Sequence, residues 1–177
     1  ELLIQAAHTA DLVVMAQGDG NDDRSSVYYL QEHVIRRSGR PVLYVPAKQE
    51  SQDLGNRVVI GWSASREAAR AAHDALPLLS SGAEVIVATV TKGAEEGYGG
   101  ATELARALDR HGHSAEVVHR TAHNRDVAKE LDNLAFERGA DMIVTGAFGH
   151  SRLYDFVIGA VTLDLMVQAR LPVLFSK

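Results

Sequence analysis

Cysteine is absent from the chain. Its absence excludes disulfides, thiolate metal sites and a cysteine nucleophile, and suits a cytoplasmic protein. A basic excess is missing too: 18 Lys and Arg stand against 23 Asp and Glu, giving a net charge of −5 and a pI of about 5.9. Sequence-independent binding of DNA or RNA needs a basic surface, so no nucleic-acid partner is expected. No apolar run approaches the length that crosses a bilayer, and no charged-then-apolar signal segment opens the chain. No membrane role is expected either. Met is missing at position 1, where Glu1 stands, which reads as a trimmed chain or a fragment of a longer one. What is present is ordinary globular material. The 177 residues are 46% hydrophobic and 23% charged, enough for one or two domains with a core that needs no staples.

Short β-branched runs alternate with helix-length amphipathic stretches. Arg57–Trp62, Glu84–Val90, Ala115–Thr121, Asp141–Gly146 and Pro172–Ser176 read as strands. Between them, Ser65–Leu79, Gly100–His111, a stretch from Asn124 as cap to about Arg138, and Gly159–Ala169 read as helices. Runs without polar alternation indicate strands covered on both faces, and alternation with helices indicates a parallel sheet. The expected fold is therefore α/β, a doubly wound, Rossmann-like parallel five-stranded sheet. Its central strands are those from Arg57 and Asp141. Ligands of such sheets bind beyond the strand carboxyl ends where the strand order reverses, which puts a site near Trp62 and Gly146.

The first part of the chain repeats the end of this pattern. Ala10-Asp-Leu-Val-Val14 matches Ala140-Asp-Met-Ile-Val144, and Arg40-Pro-Val-Leu43 matches Leu171-Pro-Val-Leu174, at offsets of 130 and 131 positions. Residues 1–46 then form a partial β-α-β copy, the C-terminal part of a first domain whose three earlier strands would lie before Glu1. Polar residues 47–56 form the linker, and residues 57–177 a complete domain.

Chemistry concentrates in Gly146-Ala-Phe-Gly149-His150, which runs through Ser151–Ile158 to Gly159-Ala160-Val161-Thr162. The loop follows a strand and opens a helix. Glycines allow close approach of a phosphate, and a helix start offers free N–H groups and partial positive charge. Thr162, in the first turn, can cap the helix or donate to a phosphate oxygen. The same glycines can equally serve only to shape a strand-to-helix connection. The spacing of Gly146, Gly149 and Gly159, together with the element order and Pro172-Val-Leu174, resembles the signature of universal stress proteins. The resemblance covers residues 57–177 and, as the tail of a tandem copy, residues 1–46.

That resemblance implies a nucleotide-binding α-hydrolase-like fold and a stress-response or regulatory module that takes ATP or a related nucleotide. The implied site comprises Gly61, Trp62, Ser63, Val90, Thr145, Gly146, Gly149, His150, Gly159, Ala160, Val161 and Thr162. It further implies a homodimer or an intrachain pseudo-dimer through antiparallel pairing of Pro41–Val45 with Pro172–Ser176. Both runs are apolar edges that would otherwise invite aggregation. Two positions depart from the family's pattern. Ser63 stands where nucleotide-binding members carry Asp, and Ala160 where they carry Ser or Thr. Losing a charged acceptor and a neutral hydroxyl contact costs about 2–4.5 kcal/mol together, a weakening of about 30- to 2,000-fold. A non-binding interaction protein of the same fold is thus the alternative reading, and a slow ATPase a weaker one.

No residue is expected to be catalytic. Ser63-Ala-Ser65 is not a Gly-x-Ser-x-Gly elbow, and neither a P-loop nor a dinucleotide fingerprint is present. No metal is required. Asp19, Asn21 and Asp23 start like a calcium loop, but Arg24 and Leu30 stand where Gly and Glu belong. This acidic segment replaces the glycine loop in the first copy and would repel phosphate. His111, His113, His119 and His123 read as surface histidines at turns, and His150 lies within the glycine loop.

Overall fold

The computed structural model describes residues 1–17, 24–47, 53–91, 99–149 and 160–177; the side chains of residues 24–27 and 125 are outside that description. The elements in chain order are α1 (Leu2–Ala7), β1 (Val13–Ala16), α2 (Arg24–Arg37), β2 (Val42–Val45), β3 (Arg57–Gly61), α3 (Arg66–Ala75), β4 (Glu84–Thr91), α4 (Ala101–Arg110), β5 (Ser114–Thr121), α5 (Val127–Glu137), β6 (Met142–Gly146), α6 (Ala160–Gln168) and β7 (Val173–Ser176).

The β-branched runs line up side by side to bury their apolar residues, and only the edge strands β1 and β5 leave alternate residues exposed. They form one sheet in the order β1-β2-β7-β6-β3-β4-β5. Every neighbouring pair is parallel except β2 and β7, which run antiparallel with Val42 opposite Phe175, Leu43 opposite Leu174 and Tyr44 opposite Val173. The intrachain pairing expected of the two Pro-Val-Leu strands is therefore present. Residues 57–177 supply the expected five parallel strands. In that part the chain steps outward from β3 to β4 and β5, then returns to place β6 and β7 on the other side. The strand order reverses between β3 and β6.

The units β1-α2-β2 and β6-α6-β7 share a register as well as an element order. Val13 pairs with Val42 and Ile143 with Val173; Ala16 pairs with Val45 and Gly146 with Ser176. The strand-closing bonds match too: the N–H of Gln17 donates to Val45 O and that of Ala147 to Ser176 O, both at 2.7 Å. Leu43 and Leu174, opposite each other at the centre of the antiparallel pair, mark a local twofold.

Helices cover both faces of the sheet. On one face α1, α2, α5 and α6 bury Ile4, Val34, Leu134, Leu165 and Met166 against Tyr44, Val59, Ile143 and Phe175. On the other, α3 and α4 bury Ala71, Ala72, Leu104 and Leu108 against Val58, Ile60, Val87 and Val144. The second cover stops short of β1. Val144 of β6 is wholly buried, whereas Val14, its counterpart in β1, is 63% exposed.

Several local features differ from the sequence reading. Helix α3 ends at Ala75 and a 3₁₀ turn runs over Leu76–Leu78, because Pro77 lacks the N–H that would continue the α-helical ladder. Asn124 does not cap α5. It lies in a left-handed turn at φ 51°, and the cap is Asp126, whose carboxylate accepts from the Lys129 N–H at 2.9 Å. Helix α1 was not expected; by the repeat it falls where the end of α5 stands. His113 is buried rather than superficial. Its backbone N–H closes the turn after α4 on Leu108 O, which draws it in. The segment before β3 is pinned: the Asp141 carboxylate accepts from the N–H groups of Gly55 and Asn56 at 2.8 Å and of Arg57 at 3.3 Å.

Candidate functional site

At the carboxyl ends of β3 and β6, where the strand order reverses, stand Gly61, Trp62, Thr145 and Gly146, with Gly61 paired to Thr145. Helix α3 starts here because Ser65 caps it, its Oγ accepting from the Ala68 N–H at 3.2 Å. Ser63 joins that cap through an Oγ–Oγ contact of 3.1 Å. The helix start lies so close to β6 that a Cβ on Gly146 would stand 2.5 Å from Ala68 N and 2.6 Å from Glu67 C. No side chain fits there. Gly146 is thus first a packing residue between β6 and α3.

Trp62 is half-buried. Its Nε1 donates to Gly99 O at 3.0 Å, and its ring lies against Gly100 ahead of α4. Gly61 packs against Leu131 of α5, and a Cβ there would meet Leu131 Cδ1 at 3.0 Å. Thr145 is buried and donates to Gly146 O at 3.2 Å.

The described start of the glycine loop is held from three sides. Phe148 adopts a left-handed conformation at φ 52°, which bulky residues seldom take up unless their surroundings enforce it. Its N–H donates to Thr162 Oγ at 3.3 Å, and its carbonyl accepts from Lys177 Nζ at 3.3 Å. The Arg36 guanidinium of α2 stacks over its buried ring, 3.7 Å from the centroid. Thr162 is itself buried, so its lone pair serves the loop backbone rather than the helix start. Gly149 comes next, and there a Cβ would stand 3.2 Å from Glu67 Oε2 and 3.7 Å from Ser65 Oγ.

Glu67 and Phe148 stand beside these residues without having been among the expected ones. Glu67 is 4% exposed; Arg66, 84% exposed, donates from Nε to its Oε1 at 2.8 Å. Burial works to raise the Glu67 carboxyl. The hydrogen bond from Arg66, one from its own backbone and the charges of Arg66 and Lys177 outweigh it, so the carboxyl sits below its usual range. A Glu in a helix's first turn ordinarily reads as a complement to the helix dipole, and nothing in the local sequence shows that it faces a loop some eighty residues later.

Of the expected site residues, the structure brings together Gly61, Trp62, Ser63, Thr145, Gly146, Gly149 and Thr162. Val90 is buried within the sheet layer, and Ala160 and Val161 are half-buried at the start of α6. His150 and Gly159 lie outside the described residues, as do Asp19, Asn21 and Asp23. Among the described residues no group of three His, Cys, Asp or Glu is placed to hold a metal, and no helix is long and apolar enough to cross a membrane.

The sheet order defines a doubly wound α/β protein. The family model "Universal stress protein family" matches residues 55–177. The chain belongs to the universal stress protein family. No curated protein matches it. Among solved structures, a universal stress protein from Archaeoglobus fulgidus DSM 4304 is 17% identical with a TM-score of 0.75, over 99% of this chain and 64% of that one. A functionally unknown protein, PA1789, from Pseudomonas aeruginosa PAO1 is 17% identical with a TM-score of 0.58, over 98% of this chain and 65% of that one. Hypothetical protein MJ0577 is 17% identical with a TM-score of 0.59, over 71% of this chain and 97% of that one. At these identities the likeness concerns the fold. The chain spans somewhat under two thirds of the first and second of these proteins.

Proposed function

We propose that this chain is a regulatory universal stress protein module that takes the phosphate end of a nucleotide, ATP or a relative, at the carboxyl ends of β3 and β6. The observation that carries the reading is the held loop start. Phe148 is locked left-handed by Thr162, Lys177 and Arg36, and presents Gly149 beside the capped start of α3. A loop start already ordered in this way costs little further ordering on binding a ligand. Ser63 and Ala160 make the site weak.

In the same reading residues 1–46 are the C-terminal part of a first copy, 47–56 the linker and 57–177 the complete domain, a tandem arrangement supported by the matching registers of β1–β2 and β6–β7. The antiparallel β2–β7 join is the observation that favours the second reading, an interaction module without nucleotide. Native mass spectrometry after incubation with ATP separates the two. A retained mass of nucleotide size is expected; a bare chain supports the second reading.

A further inference from the structure

Among the described residues at these strand ends, Glu67 is a buried ionised group that neither the fold nor the proposed binding requires. It does not cap α3, since Ser65 does that. Its Oε2 closes the near side of Gly149, 3.2 Å from where a Cβ on that residue would stand. Its Oε1 engages Arg66, whose guanidinium is otherwise in solvent and free to meet a ligand. The second cation, Lys177 Nζ, is tied to Phe148 O. The carboxylate therefore sits on the loop as an anion of the protein's own and holds the side chain that an incoming anion would want.

We infer that Glu67 sets the ligand class of this site: it competes with phosphate for Gly149 and Arg66, and so turns the site away from polyphosphates toward nucleotides of low charge, such as monophosphates. The inference rests on the nucleotide reading above. Its physical basis is that like charges a few ångströms apart, away from bulk water, repel strongly. The penalty grows with each phosphate charge brought to the loop. A neutral amide in place of the carboxylate keeps the shape and a hydrogen-bonding group while removing the repulsion.

Titration calorimetry in magnesium-free buffer, with ATP and AMP on the native chain and on Glu67→Gln, tests it; urea unfolding checks that the variant folds. The native chain is expected to bind AMP at least as tightly as ATP. The variant is expected to bind ATP about tenfold tighter or more, with a smaller gain for AMP. A native chain that prefers ATP over AMP overturns the inference without any variant. Equal ATP affinities for native chain and variant overturn the role of Glu67 and leave the nucleotide reading standing. No binding of either nucleotide to either protein at millimolar concentration overturns both.

Discussion

At the scale of single residues, Gly146 separates two demands on one glycine loop. The spacing Gly146–Gly149 invites a phosphate explanation for both positions, yet Gly146 is closed against the backbone of α3. Its substitution should therefore cost stability with no ligand present. Gly146→Ala is expected to lower the unfolding free energy by about 1–3 kcal/mol, the usual cost of overpacking, as read by urea denaturation of the nucleotide-free protein. A variant as stable as the parent would show that α3 gives way. Glu67 teaches the converse. Its role depends on burial beside Gly149, a contact between distant positions that no local pattern encodes.

At the scale of elements, helix starts decide what stands around the ends of β3 and β6. Ser65 fixes α3, and its place just after β3 was legible because Ser before an apolar-periodic run is a start signal. The start of α5 was misread by two residues. Both Asn124 and Asp126 are good caps by type, and the turn geometry at Asn124 selects the second. Asp126→Ala should cost about 1 kcal/mol through the lost bond to the Lys129 N–H. Asn124→Gly, at a left-handed position, should be close to neutral. Thermal unfolding of the two variants checks the assignment, and the opposite ranking would return the cap to Asn124. The strands were readable because their β-branched runs are continuous. Helix α1 was not, since a six-residue helix carries too few turns for a period to show.

At the scale of the molecule, the sheet joins two units of shared register back to back through β2 and β7. The family resemblance implies this join, and the two Pro-Val-Leu runs support it because an apolar edge strand needs a partner. The cover of the sheet was less legible, since it depends on helices packing from elsewhere in the chain. Val144 and Val14 hold equivalent positions, but only Val144 lies under α3. Val144→Ala should cost about 2 kcal/mol through lost burial and the cavity left behind. Val14→Ala should change stability by less than about 0.5 kcal/mol. Urea unfolding of both variants reads the difference directly. A large loss at Val14 would mean that a cover exists over β1.

A weak nucleotide-phosphate site at the carboxyl ends of β3 and β6 is the centre of this account. Titration of ATP into the purified chain by calorimetry tests it most directly. Saturable binding weakened into the range of about 3 × 10⁻⁵ to 2 × 10⁻³ M, as expected when a micromolar site loses a charged and a neutral contact, is the predicted result. No heat with ATP, ADP or AMP at millimolar concentration would contradict it.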